Sequence, residues 1–369
     1  MKKIILFSLL TMSISCKQKI VNNFQELNVE KAIKNSTSFE IEKYFNTIKY
    51  IPLETNEKCF IGELNKVVKT KNYIFVSDDL SMNLFQFDIN GKFIRKIGKQ
   101  GEGPEEYTYL IDFVVDEINE EIYLNVYGKI YHYSMDGNFI KSTPLDDIDD
   151  QVMALDNKNR LFFILPDIAQ PKGKDSVDLI KVTSLDGSHI KTLTTNKVRH
   201  TGISYFNNIY FKNDNIYYKE EFGSVIYRIN SDLKKDSICS LELGDLAFKP
   251  KDFDFSLAEK WKQLYRLKNM LVFDDITLFK VQNGLMESEF STLVWDNKKL
   301  VFPHSPTSSL KKGLFINDIE IVPLTDYYAE LICSASIEDL IIKKNELGIP
   351  ELTNITENSN PVLVILKTK

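Results

Sequence analysis

An all-β fold assembled from repeated four-stranded units is what this chain predicts, and three observations carry the prediction. A hairpin pattern recurs at LFQFDINGKFIRKIG (84–98), KIYHYSMDGNFIKST (129–143) and DLIKVTSLDGSHIKTL (178–193). Each copy has an apolar strand, an Asn-Gly or Asp-Gly turn and a second strand. The turn glycines fall at 91, 137 and 187, spacings of 46 and 50, and a degenerate turn at Asn230-Ser231-Asp232 continues the series. Four-stranded propeller blades repeat at about 40–50 residues. Aromatic residues make up 12% of the chain, with 24 Phe and 17 Tyr, a composition that strands favour. The expected architecture is a six-bladed β-propeller with four-stranded antiparallel blades.

The first fifteen residues read as an address rather than as fold. MKK is a short basic region, and IILFSLLTMSI is an apolar run of signal length, too short to span a bilayer. Ser13-Ile14-Ser15 then leads into Cys16. This arrangement resembles a bacterial lipoprotein signal with its lipobox, with Ser13 where that motif usually has Leu. The resemblance implies cleavage before Cys16 and a membrane anchor through lipid on Cys16. Each buried methylene of such a lipid adds about 0.8 kcal/mol to membrane binding. Residues 16–40 are expected as a tether and 41–369 as the propeller.

Strands follow blade by blade. The first blade is ELNKVVKT, YIFVSD, NLFQFD and KFIRKIG; the second is IDFVVDE, EIYLNV, KIYHYS and NFIKST. The third is DQVMALD, RLFFIL, DLIKVTS and HIKTL; the fourth is ISYFNNIYFK, NIYYKE, SVIYRIN and KDSICSL. Leu84 and Gln86 alternate with Phe85 and Phe87, and Tyr131 and Tyr133 with His132, as a sheet with two unlike faces requires. The Asp-Gly pair supplies the positive φ of a tight hairpin turn.

The last third is less regular. Leu257, Trp261, Leu264, Leu267 and Leu271 recur at spacings of three and four, which predicts a helix over 255–271 packed on the sheet body. A fifth blade follows as NMLVFD, ITLFKV, STLVWD and KLVFPH. A second helix is expected over 336–347, capped by Ser336 with Asp339 three residues on and stopped by Gly348 and Pro350. The sixth blade has only LFINDIEIVPL, YYAELICSA and PVLVILK, so TIKYIPL (47–53) is expected to supply its fourth strand. Such an N-terminal strand would close the ring and remove open sheet edges.

Composition narrows the partners. The chain is 43% hydrophobic and 27% charged, ordinary globular values, with a net charge of −6. Removing residues 1–15 takes away Lys2 and Lys3 and makes it more acidic still. An acidic chain without a basic cluster repels phosphate backbones, which excludes nucleic acid as the expected partner. Cys59, Cys239 and Cys333 show no CxxC or His-spaced pattern and read as buried small apolar residues.

No catalytic spacing is visible. Gly98-Lys-Gln-Gly101-Glu-Gly103-Pro104 has neither phosphate-loop spacing and reads as an interblade turn. Asp146-Asp147-Ile148-Asp149-Asp150 lacks the EF-hand pattern and reads as a solvated loop, as do Asp78-Asp79 and Asp274-Asp275 at strand ends. His132, His189, His200 and His304 form no HxH or HxxxH pair, and no GxSxG supports a serine triad. His132, mid-hairpin between tyrosines, reads as packing. Arg199 and His200 are the candidate ligand contacts. No catalytic residue, metal ligand or cofactor is expected.

GKFIRKIGKQGEGPEEY (91–107), YIPLETNEKCFIGELNKVV (50–68), the recurring hairpins and ITENSNPVLVILK (355–367) carry a family resemblance. They resemble NHL-like propellers, and more closely the six-bladed β-propeller lipoproteins of glycan-specialised Gram-negative bacteria. The resemblance spans about 41–369 and implies an exported outer-membrane lipoprotein of the cell envelope. Lys17 and Lys19 stand where some relatives carry an acidic surface-export tract, so periplasmic and surface-facing placement both stay open. The functional expectation is a non-enzymatic module that binds a glycan or a protein, with glycan uptake as its setting. The alternative is a metal-dependent lyase or lactonase whose site is scattered around the central channel.

Overall fold

The computed structural model describes residues 24–37, 44–145, 152–164, 176–197, 208–212, 214–219, 223–249, 258–273, 275–284, 290–296, 299–301, 309–310, 314–315, 319–321, 330–335 and 337–369. Their main architecture is a series of antiparallel sheets taken in chain order. The first holds Leu64–Lys69, Tyr73–Asp78, Asn83–Asp88 and Phe93–Ile97. The second holds Leu110–Asp116, Glu121–Val126, Lys129–Ser134 and Phe139–Pro144. The third holds Val152–Leu155, Arg160–Ile164, Ser176–Ser184 and His189–Lys197. The fourth holds Asn208–Lys212, Asn215–Lys219, Val225–Ile229 and Lys235–Glu242, and the fifth holds Tyr265–Val272, Thr277–Asn283, Phe290–Trp295 and Leu300–Val301. The remaining sheet joins Ile319–Ile321, Glu330–Ala335 and Val362–Thr368 to the N-terminal strand Phe45–Pro52, which pairs antiparallel with Val362–Thr368.

Apolar clusters between neighbouring sheets set this arrangement. Val68, Phe75 and Leu84 of the first sheet pack with Phe113 and Tyr131 of the second. Val76, Phe85 and Phe87 face the other way, onto Ile51, Leu363 and Ile365 of the N- and C-terminal strands. The period-two alternation is thus read by two neighbouring sheets, not by a core and solvent, and both faces are buried. Gln86 fits the same scheme, donating from Nε2 to the Met135 carbonyl of the next sheet at 3.1 Å.

The recurring hairpins turn differently from the expected two-residue pair. Gly91, Gly137 and Gly187 have φ of +86°, +78° and +83°, while the residue before each glycine stays at negative φ. This is a type I turn followed by a left-handed glycine. At the third hairpin Asp186 Oδ1 accepts the Ser188 N–H at 3.0 Å, and at the other turns the opening residue itself carries the acceptor. Asp88 Oδ1 accepts the Asn90 and Lys92 N–H groups at 2.8 and 3.0 Å. Ser134 Oγ accepts that of Asn138 at 3.2 Å, and Asn230 Oδ1 those of Asp232 and Lys234 at 3.0 Å. Leu233 takes the left-handed position in the last of these, at φ +59°. Gly91 also sits against the preceding strand, where a Cβ would meet the Pro52 carbonyl oxygen at 2.3 Å.

Two expectations are corrected. The helix over 255–271 shrinks to Ala258–Trp261, and Tyr265–Val272 is a strand paired with Thr277–Asn283. A strand buried on both faces has no polar alternation, so Leu264, Leu267 and Leu271 satisfied helical spacing without being helical. Residues 25–34, expected as part of a tether over 16–40, are folded instead. Gln25–Asn28 adds to Lys235–Glu242 as a parallel fifth strand, and Val29–Lys34 forms a helix capped by Asn28, whose Oδ1 accepts the Lys31 N–H at 2.7 Å. Leu27, Val29 and Ala32 are buried there. The second expected helix is present as Ile337–Leu347. Gly348 ends it at φ +58°, its N–H bonded to the Lys344 carbonyl at 3.1 Å. Ser336 lies outside the described residues. No helix among the described residues is long and apolar enough to cross a membrane.

Candidate functional site: the channel and its mouth

In the first three sheets the first strand is the inner one, and hydrogen bonds between these strands align them. Lys66 of Leu64–Lys69 reaches Asp112 of Leu110–Asp116, and the Lys71 N–H donates to Glu117 Oε1 at 2.7 Å. Both strands therefore start at the same end, called the mouth here. The connections that precede them lie at that end. So do the turns 79–82 and 127–128, which join the second and third strands of the first two sheets. The Asp79 N–H bonded to the Glu63 carbonyl at 2.9 Å confirms this closeness.

A buried ion pair ties three inner strands together just inside the mouth. Lys66 Nζ lies 2.8 and 3.1 Å from the two oxygens of Asp112, donates to the Phe113 carbonyl at 2.8 Å, and lies 5.4 Å from the Phe113 ring centre. Asp112 Oδ2 accepts the Met153 N–H at 2.6 Å, and Oδ1 accepts that of Phe113 at 2.7 Å. Lys66 and Asp112 are only 7% and 4% exposed, so each charge depends on the other. These groups hold the first three sheets in register.

Above the pair lies a second carboxylate group. Asp78 is buried and accepts the Glu63 N–H at 2.6 Å and the Ser81 hydroxyl at 2.5 Å. Asp79 accepts from Asn65 Nδ2 at 2.6 Å. Burial raises the Asp79 carboxyl above its ordinary value against the opposing Asn65 hydrogen bond, and the charges of Glu63, Asp78 and Asp112 add to the rise. Four apolar side chains stand in solvent on the same connections: Phe60 (57% exposed), Leu80 (73%), Tyr109 (47%) and Tyr127 (60%).

The sequence candidates fare unevenly. Cys16, Arg199, His200, His304, Asp274 and the acidic run 146–150 lie outside the described residues. His132 is buried, with Nε2 2.9 Å from Thr143 Oγ1 and its ring edge-on to Tyr123 at 4.9 Å. Burial, helped by the Lys141 charge and opposed by Glu121, lowers its pKa. His189 lies at the surface beside Thr192. The glycine-rich loop satisfies itself. Its Gly101 and Gly103 N–H groups donate to the Tyr107 carbonyl at 2.9 Å and to Glu106 Oε2 at 3.0 Å, and Lys99 pairs with Glu106. Lys99 and the Gly103 N–H hold the Glu106 carboxyl below its ordinary value. Cys59 and Cys239 are free and buried, and burial pushes both thiols up to about 12. Among the described residues, no group of three His, Cys, Asp or Glu side chains is placed to hold a metal ion.

Sequence reasoning did not find Lys66 and Asp112. A signal existed: they stand 46 residues apart, the spacing that also separates Gly91 from Gly137. Equivalent positions of consecutive blades meet at the channel. It also missed Asn360, whose side chain joins the two ends of the fold. Nδ2 donates to the Glu54 and Cys59 carbonyls at 2.7 and 2.9 Å, and Oδ1 accepts the Ile61 N–H at 2.8 Å.

Four-stranded antiparallel sheets packed face to face, with aligned inner strands, define a β-propeller. Two solved structures share the fold. A Bacteroides fragilis protein whose name calls it exported superposes at a TM-score of 0.65 and 16% identity, covering 94% of this chain and 99% of that one. A DUF4221 family member from Bacteroides vulgatus gives 0.52 and 12%, covering 88% and 97%. The chain belongs to the family described as Domain of unknown function (DUF4934), which matches residues 24–367. No curated protein matches it.

Proposed function

We propose that this chain is an exported, lipid-anchored propeller that binds a glycan at its channel mouth without transforming it. The observation that carries the reading is the set Phe60, Leu80, Tyr109 and Tyr127, which gathers on the connections of one end, whereas Phe24, Ile118, Ile140, Ile190 and Ile342, the other exposed large apolar side chains among the described residues, lie elsewhere. Exposed apolar groups on loops set by a rigid scaffold are a common basis for recognition. Aromatic rings offer flat faces to the C–H faces of sugars. Lys66 and Asp112, on the inner strands, are taken up by each other and by backbone, which favours scaffold over catalysis.

The ring itself has six blades in this reading. The mixed sheet that includes Gln25–Asn28 counts as the fourth blade, and Phe45–Pro52 closes the last one. Clusters that join the first sheet to the terminal strands support the closure. Residues 1–15 are the signal and Cys16 is the lipid site. The location is the outer membrane, facing the periplasm or the surface.

A glycan panel with calorimetry on the purified protein tests the binding. Saturable binding that falls by about tenfold or more in Tyr109→Ala/Tyr127→Ala, at unchanged melting temperature, is expected. Metal-dependent turnover of a sugar lactone or glycan would overturn the non-enzymatic reading. Absence of binding to every glycan tested would overturn the ligand class. Labelled palmitate should enter the protein in cells and be lost in Cys16→Ala; retention in that variant would refute the anchor.

A further inference from the structure

A cavity of about 290 Å³ lies between the fourth and fifth sheets, away from the mouth. Aromatic residues Tyr217, Phe273, Phe279 and Trp295 line it, together with two cations, Lys212 and Arg228, and the described residues of its lining include no Asp or Glu. Its volume equals that of about ten liquid waters, the small end of the range for ligand pockets.

Two donor atoms shielded from solvent at this cavity lack an acceptor among the described residues, one of them on Arg228, whose side chain is otherwise 39% exposed. Arg228 gives Nη2 to Asp236 Oδ2 at 3.1 Å, yet its Nε has no hydrogen-bond partner among the described residues. Trp295 is 8% exposed, and its Nε1 likewise has none. Both residues belong to third strands, Val225–Ile229 and Phe290–Trp295, near the ends that lead to the outer turns. Buried donors are rarely left unmet in a native structure, so each requires an acceptor. Lys212 adds charge: it is 6% exposed, with its ammonium 5.0 Å from the Phe273 ring centre.

We propose that this interblade cavity binds a small planar monocarboxylate. Its carboxylate accepts from the Arg228 Nε and Trp295 Nε1, and its flat apolar body lies among the aromatic rings. An acceptor-only anion matches a wall whose described residues present the Arg228 Nε and Trp295 Nε1 donors and no acid, while Arg228 keeps Asp236 on its Nη2. A planar apolar body matches a cavity lined by aromatic rings from two sheets. The site is independent of the mouth and of any glycan.

Calorimetry on the purified protein tests it, with indole-3-acetate and benzoate as probes. Benzyl alcohol and tryptamine serve as neutral and cationic controls. One carboxylate probe should bind saturably with a dissociation constant below about 1 mM, and the controls at least about tenfold more weakly. Arg228→Gln should weaken the carboxylate by about tenfold or more. Trp295→Phe keeps a ring and removes only the indole N–H, and should weaken it severalfold without moving the controls. Equal binding of the neutral control would overturn the proposal, as would full affinity in both variants. So would no saturation of the wild-type protein up to about 10 mM of either carboxylate.

Discussion

Replacing Lys66 by Met tests whether the ion pair inside the mouth holds three blades together. The substitution keeps much of the stem that packs near Phe113 and removes the ammonium. Asp112 is then left 4% exposed with only the N–H groups of Phe113 and Met153 as partners. Breaking one side of a buried pair costs about 3–5 kcal/mol. Asp112→Leu should cost a similar amount for the stranded ammonium, plus about 1–3 kcal/mol for the Met153 N–H that loses its acceptor. The double variant Lys66→Met/Asp112→Leu leaves no buried charge and should be more stable than the two single losses summed. Urea unfolding of all four proteins, analysed as a double-mutant cycle, reads the coupling, and about 2 kcal/mol or more is expected. Additivity within about 0.5 kcal/mol would refute the reasoning, because it would show the two groups are not compensating each other.

Three further outcomes are expected. Asn360→Ala removes the acceptor of the Ile61 N–H and the donor to Glu54 and Cys59, and should lower unfolding free energy by about 2–4 kcal/mol, read by denaturant titration. His132 has a folded pKa below the ordinary 6.5, so the unfolded chain takes up the proton first. The stability it contributes is present above 6.5 and is lost as pH falls from there towards the depressed value; His132→Gln should flatten that slope between pH 7.5 and 5.5 in urea midpoints. Deleting residues 24–34 removes the buried Leu27, Val29 and Ala32 and uncovers the edge of Lys235–Glu242. It should cost about 4–6 kcal/mol and promote association in size-exclusion chromatography; an unchanged elution volume with an unchanged melting temperature would show that this segment is not part of the fold.

The hairpins were legible in the sequence because their chemistry is local. An acceptor at the opening residue and a left-handed glycine three residues on are both visible in a string of letters. The strand pairing of residues 45–52 with the C-terminus was legible by counting, since the last unit was short by one strand. Tyr265–Val272 was not, because an inner strand is apolar on both faces and mimics a helical stripe. The N-terminal strand and helix were missed because only Leu27, Val29, Ala32 and Ile33 mark them, among polar neighbours. At the mouth, Lys66 and Asp112 looked like ordinary strand charges. Their burial comes from the ring geometry, which brings equivalent positions of successive repeats together.

The parallel strand at Gln25–Asn28 sets the length of a leash. If Cys16 carries lipid, eight residue steps separate the anchor from Phe24, the first described residue. Fully extended, that is at most about 29 Å. A tether reaching residue 40 would have let the propeller range about three times as far and tumble freely. With the shorter one, the proposed anchor would hold the outer edge of the fourth sheet close to the bilayer, and the body could tilt but not roam. Under that proposal a partner would be met within a thin layer above the membrane.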